Sequence, residues 1–375
     1  CEAIRNHGGG HPALFNDEVI IPSQLAYVPR ITKEDAYDYN IICCSEIVFG
    51  GKGTEGIAGS TLNGGKLLEL IMTGQNLNSG ILMASGKGGM TQWSAFVDVI
   101  QAFSEYTRWY TKARFMQVLP VIDGHNMHRP CPYLSSLTRD CIKRGQAYYG
   151  GGAVYGNEVV NATYVGIANI ANSFAAIKKL VFDDHVITQA QLKHAVETNF
   201  EDVTTNPSGP EIQQLCLKAP KFGNDDPYVD DLAKDCLNIL VKELRKYRTR
   251  TGSGFVANIA PVATHMVYGM YCGATPDGRK AGTPLSDACS PAQGTDLNGP
   301  TASVKSVANL EHINLPQGTI FNMKLHPAAV ETNAGMAKWS NLVRTYFDLG
   351  GWEIPVSYTH LRAHETKEDI SYAVF

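Results

Sequence analysis

The sequence predicts an α/β fold of the barrel type, in which strands lead through loops into helices. Strand-like and helical segments alternate along the chain, and no low-complexity linker or short internal repeat interrupts them. The chain has 375 residues, of which 44% are hydrophobic, so it can bury a large core as one big domain or two ordinary ones.

Two segments are the candidate strands. Residues 11–22 carry a β-branched run that is closed by a proline, and residues 40–48 form a second apolar run. β-Branched side chains favour extended backbone, and proline interrupts a sheet ladder, so each of the two segments predicts a short strand. Later in the chain, residues 255–268 form a mostly apolar segment that is followed by a Pro-Asp-Gly turn at residues 276–278.

Helices are predicted between and after these strands. Apolar residues with the i, i+3, i+4, i+7 spacing of one helical face are Phe96, Val99, Ile100, Phe103 and Tyr110. Residues 165–182 and 227–247 have the same period. The second of these has a start signal, because Asp226 can cap the first free N–H groups while Pro227 occupies a position where its missing N–H costs nothing.

Charge and hydropathy exclude two classes of partner. The formal net charge is −4, and lysine and arginine are scattered among acidic residues without a basic stripe, so nucleic acid is not an expected ligand. No apolar run approaches the roughly 18 residues of a membrane span. We therefore expect a cytoplasmic protein. The chain opens on Cys1 without a leader, which predicts that it begins inside a longer protein.

Cysteine and histidine usage predicts neither disulfides nor a metal site. The nine cysteines contain no Cys-x-x-Cys pair and form no closely spaced framework, which favours reduced thiols. His125 and His128 could be metal ligands, but no third ligand at a suitable spacing accompanies them. Surface or satisfied core histidines are the favoured interpretation of this pair.

The run from Tyr39 to Ile47 ends an apolar segment in two adjacent cysteines, Cys43 and Cys44, with Glu46 two residues beyond. If the run is one strand, its two-residue period places the Cys44 thiol and the Glu46 carboxylate on one face, where they could meet one substrate. Buried cysteines commonly serve only as packing residues. Taken alone, the run leaves both interpretations open.

Several blocks of sequence carry a family resemblance. The most specific is Gly-Ala-Thr-Pro-Asp-Gly-Arg-Lys-Ala-Gly at residues 273–282, followed by Pro-Leu-Ser-Asp at 284–287, Ser-Pro at 290–291 and Asn-Gly-Pro-Thr-Ala at 298–302. Further blocks lie at residues 15–18, 150–155, 175–179 and 321–324. In this order, the blocks resemble the C-terminal half of glycyl radical enzymes of the pyruvate formate-lyase-like superfamily.

This resemblance implies a fold and a set of site residues. The fold would be part of a ten-stranded α/β barrel, with residues 1–354 as a partial barrel domain. The segment from Cys43 to Ile47 aligns with the Gly-Cys-Val-Glu-Pro motif of the family's lyases, dehydratases and decarboxylases. Cys44 would then be the thiyl that abstracts a hydrogen atom, and Glu46 the base that moves a proton. Phe15 and Asn16 would belong to the substrate pocket.

Two departures from the family pattern keep alternatives open. Cys43 stands where the lyases have glycine, which recreates the twin cysteines that pyruvate formate-lyase uses for acyl transfer, although Glu46 argues against that activity. After Lys52, where relatives often place polar side chains against the substrate, this chain has Ile57 and Ala58, followed by glycine and serine. The pocket would be less polar there, which predicts a substrate less polyhydroxylated than glycerol.

The resemblance stops at Ile354. Residues 355–375 resemble a non-native tail and contain no glycine, so we expect the glycyl radical domain to be absent and the chain as written to be inactive. The complete parent would be activated by a radical S-adenosylmethionine enzyme with an iron–sulfur cluster, act on a small molecule in anaerobic metabolism and form a homodimer. A remnant that kept the barrel and lost the chemistry is the other possibility.

Overall fold

A computed structural model of the chain describes residues 13–42, 44–53, 57–73, 89–90, 93–156, 159–248, 254–261, 263–326 and 328–358. Its strands are β1 (Leu14–Phe15), β2 (Tyr39–Ile42), β3 (Glu46–Phe49), β4 (Ile57–Asn63), β5 (Val159–Val165), β6 (Gly254–Asn258), β7 (Met323–Leu325), β8 (Glu353–Ile354) and β9 (Val356–Tyr358). Its helices are α1 (Asp17–Tyr27), α2 (Lys33–Tyr37), α3 (Gly64–Thr73), α4 (Phe96–His128), α5 (Pro132–Leu137), α6 (Cys141–Arg144), α7 (Ile167–Ile177), α8 (Gln189–Glu197), α9 (Gly209–Lys218), α10 (Pro227–Leu244), α11 (Thr264–Met270), α12 (Pro300–Ala308), α13 (Ala328–Glu331) and α14 (Asn333–Asp348).

The central sheet is parallel. Strands β4, β5 and β6 pair side by side in that order, and a parallel bridge from Ile259 to Thr319 continues the sheet. The N–H of Phe321 then donates to the carbonyl of Glu353 (3.3 Å), where β8 pairs with β1 in the antiparallel sense. Strands β4, β5 and β6 thus form a parallel sheet with helical crossovers, and the predicted α/β class is confirmed.

The crossover helices bury the outer face of this sheet. Every residue of α7 is buried, and this helix packs against α10. The rings of Phe103 and Phe174 meet edge to face with centroids 5.3 Å apart, which joins α4 to α7. Among the described residues, none of the helices has both the length and the apolar character that a membrane crossing requires.

The predicted helices are found where local signals were strong. The Asp226 carboxylate accepts a hydrogen bond from the N–H of Tyr228 (3.0 Å), and Pro227 occupies the first turn of α10 as expected. Helix α4 contains the predicted helical face from Phe96 to Tyr110 and extends to His128. Helix α7 lies within the predicted segment and continues into a π-helical turn, Lys178–Asp183.

The predicted strand over residues 11–22 is wrong for most of its length. Only Leu14 and Phe15 are extended, and the chain then forms α1, which contains the proline at position 22. The cause is Asn16, whose side chain accepts from the N–H of Glu18 (3.2 Å) and so caps the helix. The β-branched residues Val19 and Ile20 become the buried face of that helix.

Candidate active site

The run with the twin cysteines is a hairpin and not a single strand. Strands β2 and β3 pair in the antiparallel sense, with Ile42 opposite Glu46, and Cys44 and Ser45 form the turn. Cys43 lies outside the described residues. The predicted continuous strand over residues 40–48 is therefore wrong, and the two-residue strand period does not relate Cys44 to Glu46.

Hydrogen bonds at the hairpin tip bring the two predicted catalytic residues together instead. One carboxylate oxygen of Glu46, Oε2, accepts from the N–H of Cys44 (3.2 Å) and from the N–H of Ser45 (3.1 Å). A carboxylate can accept several such bonds, and these two fix its position at the start of β3. The Glu46 carboxylate consequently lies beside the backbone that carries the Cys44 thiol.

The hairpin tip is held against the loop that precedes Thr319. Ser45 is fully buried, and a Cβ atom added to Gly318 would lie 2.5 Å from the Ser45 carbonyl oxygen. The side-chain amide of Gln317 donates to the carbonyl of Ile47 (3.2 Å). Gly318 has a φ of +95°, a conformation that strongly favours glycine, and this allows the close approach.

The Cys44 side chain lies against an aliphatic surface. It is half-buried and packs on Ala260, Ala288 and Ile320, which belong to three separate segments of the chain. Ala288 has a φ of +49°, which is uncommon for a residue with a side chain. An apolar surface of this kind excludes water from one side of the thiol.

A buried polar chain supports this aliphatic surface from behind. The Cys289 thiol hydrogen-bonds Thr319, whose hydroxyl lies 2.6 Å from Nδ1 of His312. Nε2 of His312 faces the carbonyl of Val307 (2.8 Å), so Nε2 carries the hydrogen and Nδ1 accepts from Thr319. Burial lowers the pKa of His312 to about 4, and the ring is neutral near pH 7. These hydrogen bonds fix Thr319, which is the residue before Ile320 of the aliphatic surface.

A second carboxyl group near Glu46, which no sequence pattern predicts, is that of Glu353. Glu353 of β8 is only 2% exposed, and its atom Oε2 has no hydrogen-bond partner among the described residues. Burial, and then the nearby Glu46, raise the pKa of Glu353 to about 8. The Gly-Gly-Trp-Glu-Ile segment gives no local sign that its glutamate is buried, because the residues that bury it are distant in sequence.

The predicted pocket residues have different surroundings. Phe15 pairs with Glu353 in the sheet and packs on the apolar cluster that contains Ile47. The Asn16 amide donates to the carbonyls of Phe347 (3.0 Å) and Gly351 (2.7 Å), and its oxygen caps α1, so its polar atoms are engaged by the fold. That Asn16 lines a pocket stays a prediction, and this geometry does not favour it.

Two other predicted sites are only partly described. The backbone of Ile57 and Ala58 lies in β4, but their side chains lie outside the described part of the chain. His125 and His128 occupy the last turn of α4. No group of three or more histidine, cysteine or acidic residues that could hold a metal ion occurs within the described ranges.

Two family models match the chain. One, described as pyruvate formate lyase-like, matches residues 1–269, and one described as glycine radical matches residues 285–365. The sequence predicts that a glycyl radical domain is absent, whereas the glycine radical model matches residues 285–365. The boundary at residue 354 stays a prediction. The sequence has no glycine after Gly351, within this match or beyond it.

Curated relatives agree with the family models. A probable dehydratase, YbiW, of Escherichia coli (strain K12) is 35% identical over 368 residues, covering 94% of this chain and 44% of the relative. The trans-4-hydroxy-L-proline dehydratase of Clostridioides difficile is 31% identical, with the same two coverages. The chain thus spans less than half the length of these relatives.

Solved structures share the fold. The B12-independent glycerol dehydratase from Clostridium butyricum, in its glycerol-bound form, aligns with a TM-score of 0.89 and 34% identity, covering 96% of this chain and 44% of that one. The hydroxyproline dehydratase from Clostridioides difficile aligns with a TM-score of 0.88 and 30% identity, covering 96% and 44%. These neighbours confirm the predicted glycyl radical enzyme fold. The chain therefore belongs to the pyruvate formate lyase-like family of glycyl radical enzymes.

Proposed function

We propose that the chain is part of a glycyl radical lyase, in which Cys44 abstracts a hydrogen atom from a small organic substrate and Glu46 moves a proton during elimination. The hairpin tip carries this proposal, because it holds the Glu46 carboxylate against the backbone of Cys44 and sets the thiol on an aliphatic surface. Dehydration, C–N or C–S cleavage and decarboxylation are the candidate reactions. The activity is that of the whole parent protein, of which this chain would be one part.

Before turnover the Cys44 thiol would give its hydrogen atom to the glycyl radical of the parent, so that the S–H bond breaks and the unpaired electron then lies on Sγ. Sγ of Cys44 then takes a hydrogen atom, one proton and one electron, from a substrate carbon, and the S–H bond forms as the C–H bond breaks. Glu46 accepts a proton from a substrate hydroxyl or delivers one to the departing group. At the end, Sγ returns the hydrogen atom to the product radical.

The surroundings of Cys44 fit this role. Ala260, Ala288 and Ile320 offer only aliphatic groups to the side of the thiol that they cover, with no thiol or phenol among them. Thiols and phenols give up a hydrogen atom readily, because their S–H and O–H bonds are weak, and they would quench a sulfur radical. Glu46 sits at a turn that is fixed by its own hydrogen bonds, which is what a proton-transfer group requires.

The partners and cofactors of the parent follow from the same proposal. We propose activation by a radical S-adenosylmethionine enzyme that carries an iron–sulfur cluster, a homodimeric parent and a cytoplasmic location. We also propose that residues 1–375 alone are inactive, because no glycine follows Gly351, where the family carries its radical. Phe15, Ile57 and Ala58 remain the proposed lining of a pocket that takes a substrate less polyhydroxylated than glycerol.

The test is an anaerobic substrate screen of the full-length parent with its activating enzyme. We expect a glycyl signal in the electron paramagnetic resonance spectrum and an elimination or decarboxylation product from one of the screened hydroxy acids, amino alcohols, sulfonates or arylacetates. Fastest turnover on glycerol or propane-1,2-diol would contradict the proposed apolar pocket. If a glycyl signal appears and the main reaction converts pyruvate to acetyl-coenzyme A and formate, the proposed elimination is wrong and the enzyme catalyses acyl transfer.

The role of Cys43 distinguishes these two reactions directly. We expect Cys43→Ala in the activated parent to keep turnover within a few-fold of wild type, because elimination needs one thiol, whereas acyl transfer through two thiols needs both. Cys131→Ala, which removes a half-buried thiol before α5, is the matched control. A loss of turnover to background in Cys43→Ala alone would favour the acetyltransferase.

A further inference from the structure

The three segments that supply the aliphatic surface under the candidate thiol are joined through their backbones. The N–H of Cys289 donates to the carbonyl of Ile320 (3.0 Å), and the N–H of Ile320 donates to the carbonyl of Ile259 (3.2 Å). Ala288 directly precedes the first of these residues, and Ala260 directly follows the last. The three aliphatic residues on which the thiol packs are therefore brought together by backbone pairing.

One carboxylate joins the same three segments through side chains. Oδ2 of Asp287 accepts from the side-chain amide of Asn322 (2.7 Å), and Oδ1 of Asp287 lies 3.5 Å from Nδ1 of His265. Asp287, Asn322 and His265 lie one, two and five positions in sequence from the aliphatic residue of their own segment. The carboxylate thus has a side-chain neighbour in each of the other two segments.

The backbone next to this carboxylate has an uncommon conformation. Ala288 has a φ of +49° and lies in a turn in which the N–H of Ser290 donates to the carbonyl of Asp287 (2.9 Å). A residue with a side chain keeps such a conformation only where its surroundings hold it there. The Ser290 hydroxyl donates to the carbonyl of Asn322 (3.1 Å), so Asn322 binds the turn through its backbone as well as through the Asp287 side chain.

The polar side chains of this group are partly exposed, unlike the buried aliphatic residues beside them. The side chain of His265 is 17% exposed and that of Asp287 is 35% exposed. A pair with this much exposure contributes little to the global free energy of unfolding, because water screens its attraction. We therefore expect the carboxylate to affect the local geometry around the thiol more than the stability of the fold.

We propose that Asp287 is a positioning residue for the Cys44 thiol. Its carboxylate ties the segments of Asn322 and His265 together, and so keeps Ala288 in the surface on which the thiol packs. This proposal rests on the proposed function of Cys44. Asp287 takes no part in bond making or bond breaking, and its effect on the reaction is that it fixes where the sulfur lies.

The first test measures turnover of the activated full-length parent, expressed per glycyl radical counted by electron paramagnetic resonance. Asp287→Ala should lower kcat about tenfold to a hundredfold at nearly unchanged KM and urea midpoint, because the sulfur is displaced while the substrate still binds. Asp287→Asn keeps an oxygen that can accept from Asn322, so it should retain a rate within a few-fold of wild type. Adding Asn322→Ala to Asp287→Ala should cost little more, since the two changes remove one shared contact.

Asp202→Ala is the matched control. Asp202 also lies beside a histidine, with its Oδ2 atom 2.7 Å from Nε2 of His194 in α8, but neither residue belongs to the segments that form the aliphatic surface. This variant should keep the wild-type kcat. A wild-type kcat in Asp287→Ala as well would overturn the proposal.

A second measurement does not depend on turnover. In the unactivated full-length protein, Asp287→Ala should raise the rate at which iodoacetamide alkylates Cys44 several-fold relative to Cys131, a half-buried reference thiol in the same chain. Mass spectrometry of the two cysteine peptides gives this ratio. Asp202→Ala should leave it unchanged, and an unchanged ratio in Asp287→Ala would show that the carboxylate does not hold the surface under Cys44.

The two proposals fail in different ways. Turnover that survives in Cys44→Ser would sink the proposed function, while the alkylation of Cys44 would still respond to Asp287→Ala. Turnover that depends on Cys44 and not on Asp287 would remove the role of Asp287 alone.

Discussion

Cys44→Ser in the activated full-length parent is expected to reduce turnover to background, a loss of about 10⁶-fold or more, which is the lower end of the range of enzymatic accelerations. A serine O–H bond is stronger than a cysteine S–H bond, so the substituted side chain cannot exchange a hydrogen atom with the substrate in both directions. The measurement is product formation under anaerobic conditions. The half-buried position on an aliphatic surface tolerates serine in size, so folding should survive.

Two controls separate lost chemistry from lost activation. The glycyl signal in the electron paramagnetic resonance spectrum should still appear in Cys44→Ser, because the radical is installed before Cys44 takes part. Cys131→Ser, at another half-buried thiol, should behave as wild type. Measurable turnover in Cys44→Ser at even a hundredth of the wild-type rate would refute the assignment of Cys44 as the hydrogen-abstracting residue.

Gly318→Ala is expected to displace the hairpin tip. The added Cβ would lie 2.5 Å from the Ser45 carbonyl oxygen and 2.6 Å from the Ser45 Cβ, and the φ of +95° strains any residue other than glycine. The two effects together should lower the free energy of unfolding by about 3 kcal/mol. Since an error of about 1 Å in a catalytic group can cost about a hundredfold in rate, turnover should fall by at least that factor.

Gly350→Ala is the matched control for this change. Gly350 has a nearly equal φ of +93°, and an added Cβ there would meet no atom within 4 Å. It should therefore show the backbone cost alone, about 1 kcal/mol, in urea unfolding of the same protein. Equal losses of stability and turnover in the two variants would mean that contact with Ser45 does not position the tip.

The parts of the fold that the sequence predicted are those fixed by neighbours in the chain. Asp226 and Pro227 define the start of α10 within three residues, and the helical period from Phe96 needs no distant partner. Residues 11–22 were misassigned because their β-branched run was given more weight than the local cap signal of Asn16, whose oxygen accepts from the N–H of Glu18. The Asn16 amide also donates to the carbonyl of Phe347, 331 residues away, and no local pattern reports that second contact.

The candidate site also contains residues that the sequence could predict and residues that it could not. Cys44 and Glu46 could be found because they are two residues apart and match a family motif. The hairpin could not be predicted from sequence, because its turn is stabilised by the packing of Ser45 against Gly318. The role of Glu353 as a buried carboxyl could not be predicted either, because its burial depends on residues that are distant in sequence. Sequence periodicity reports which side of an element is apolar, and not which distant residue will face it.

The contact between the hairpin and a distant part of the chain has a consequence for biosynthesis. The side-chain amide of Gln317 donates to the carbonyl of Ile47 across 270 residues, and the neighbouring Gly318 lies against Ser45. A ribosome that adds about 5–20 residues per second would need roughly 15–60 s to make the intervening segment. Cys44 is therefore synthesised well before Ala260, Ala288 and Ile320, and the surroundings of its thiol are complete only after most of the described chain has been translated.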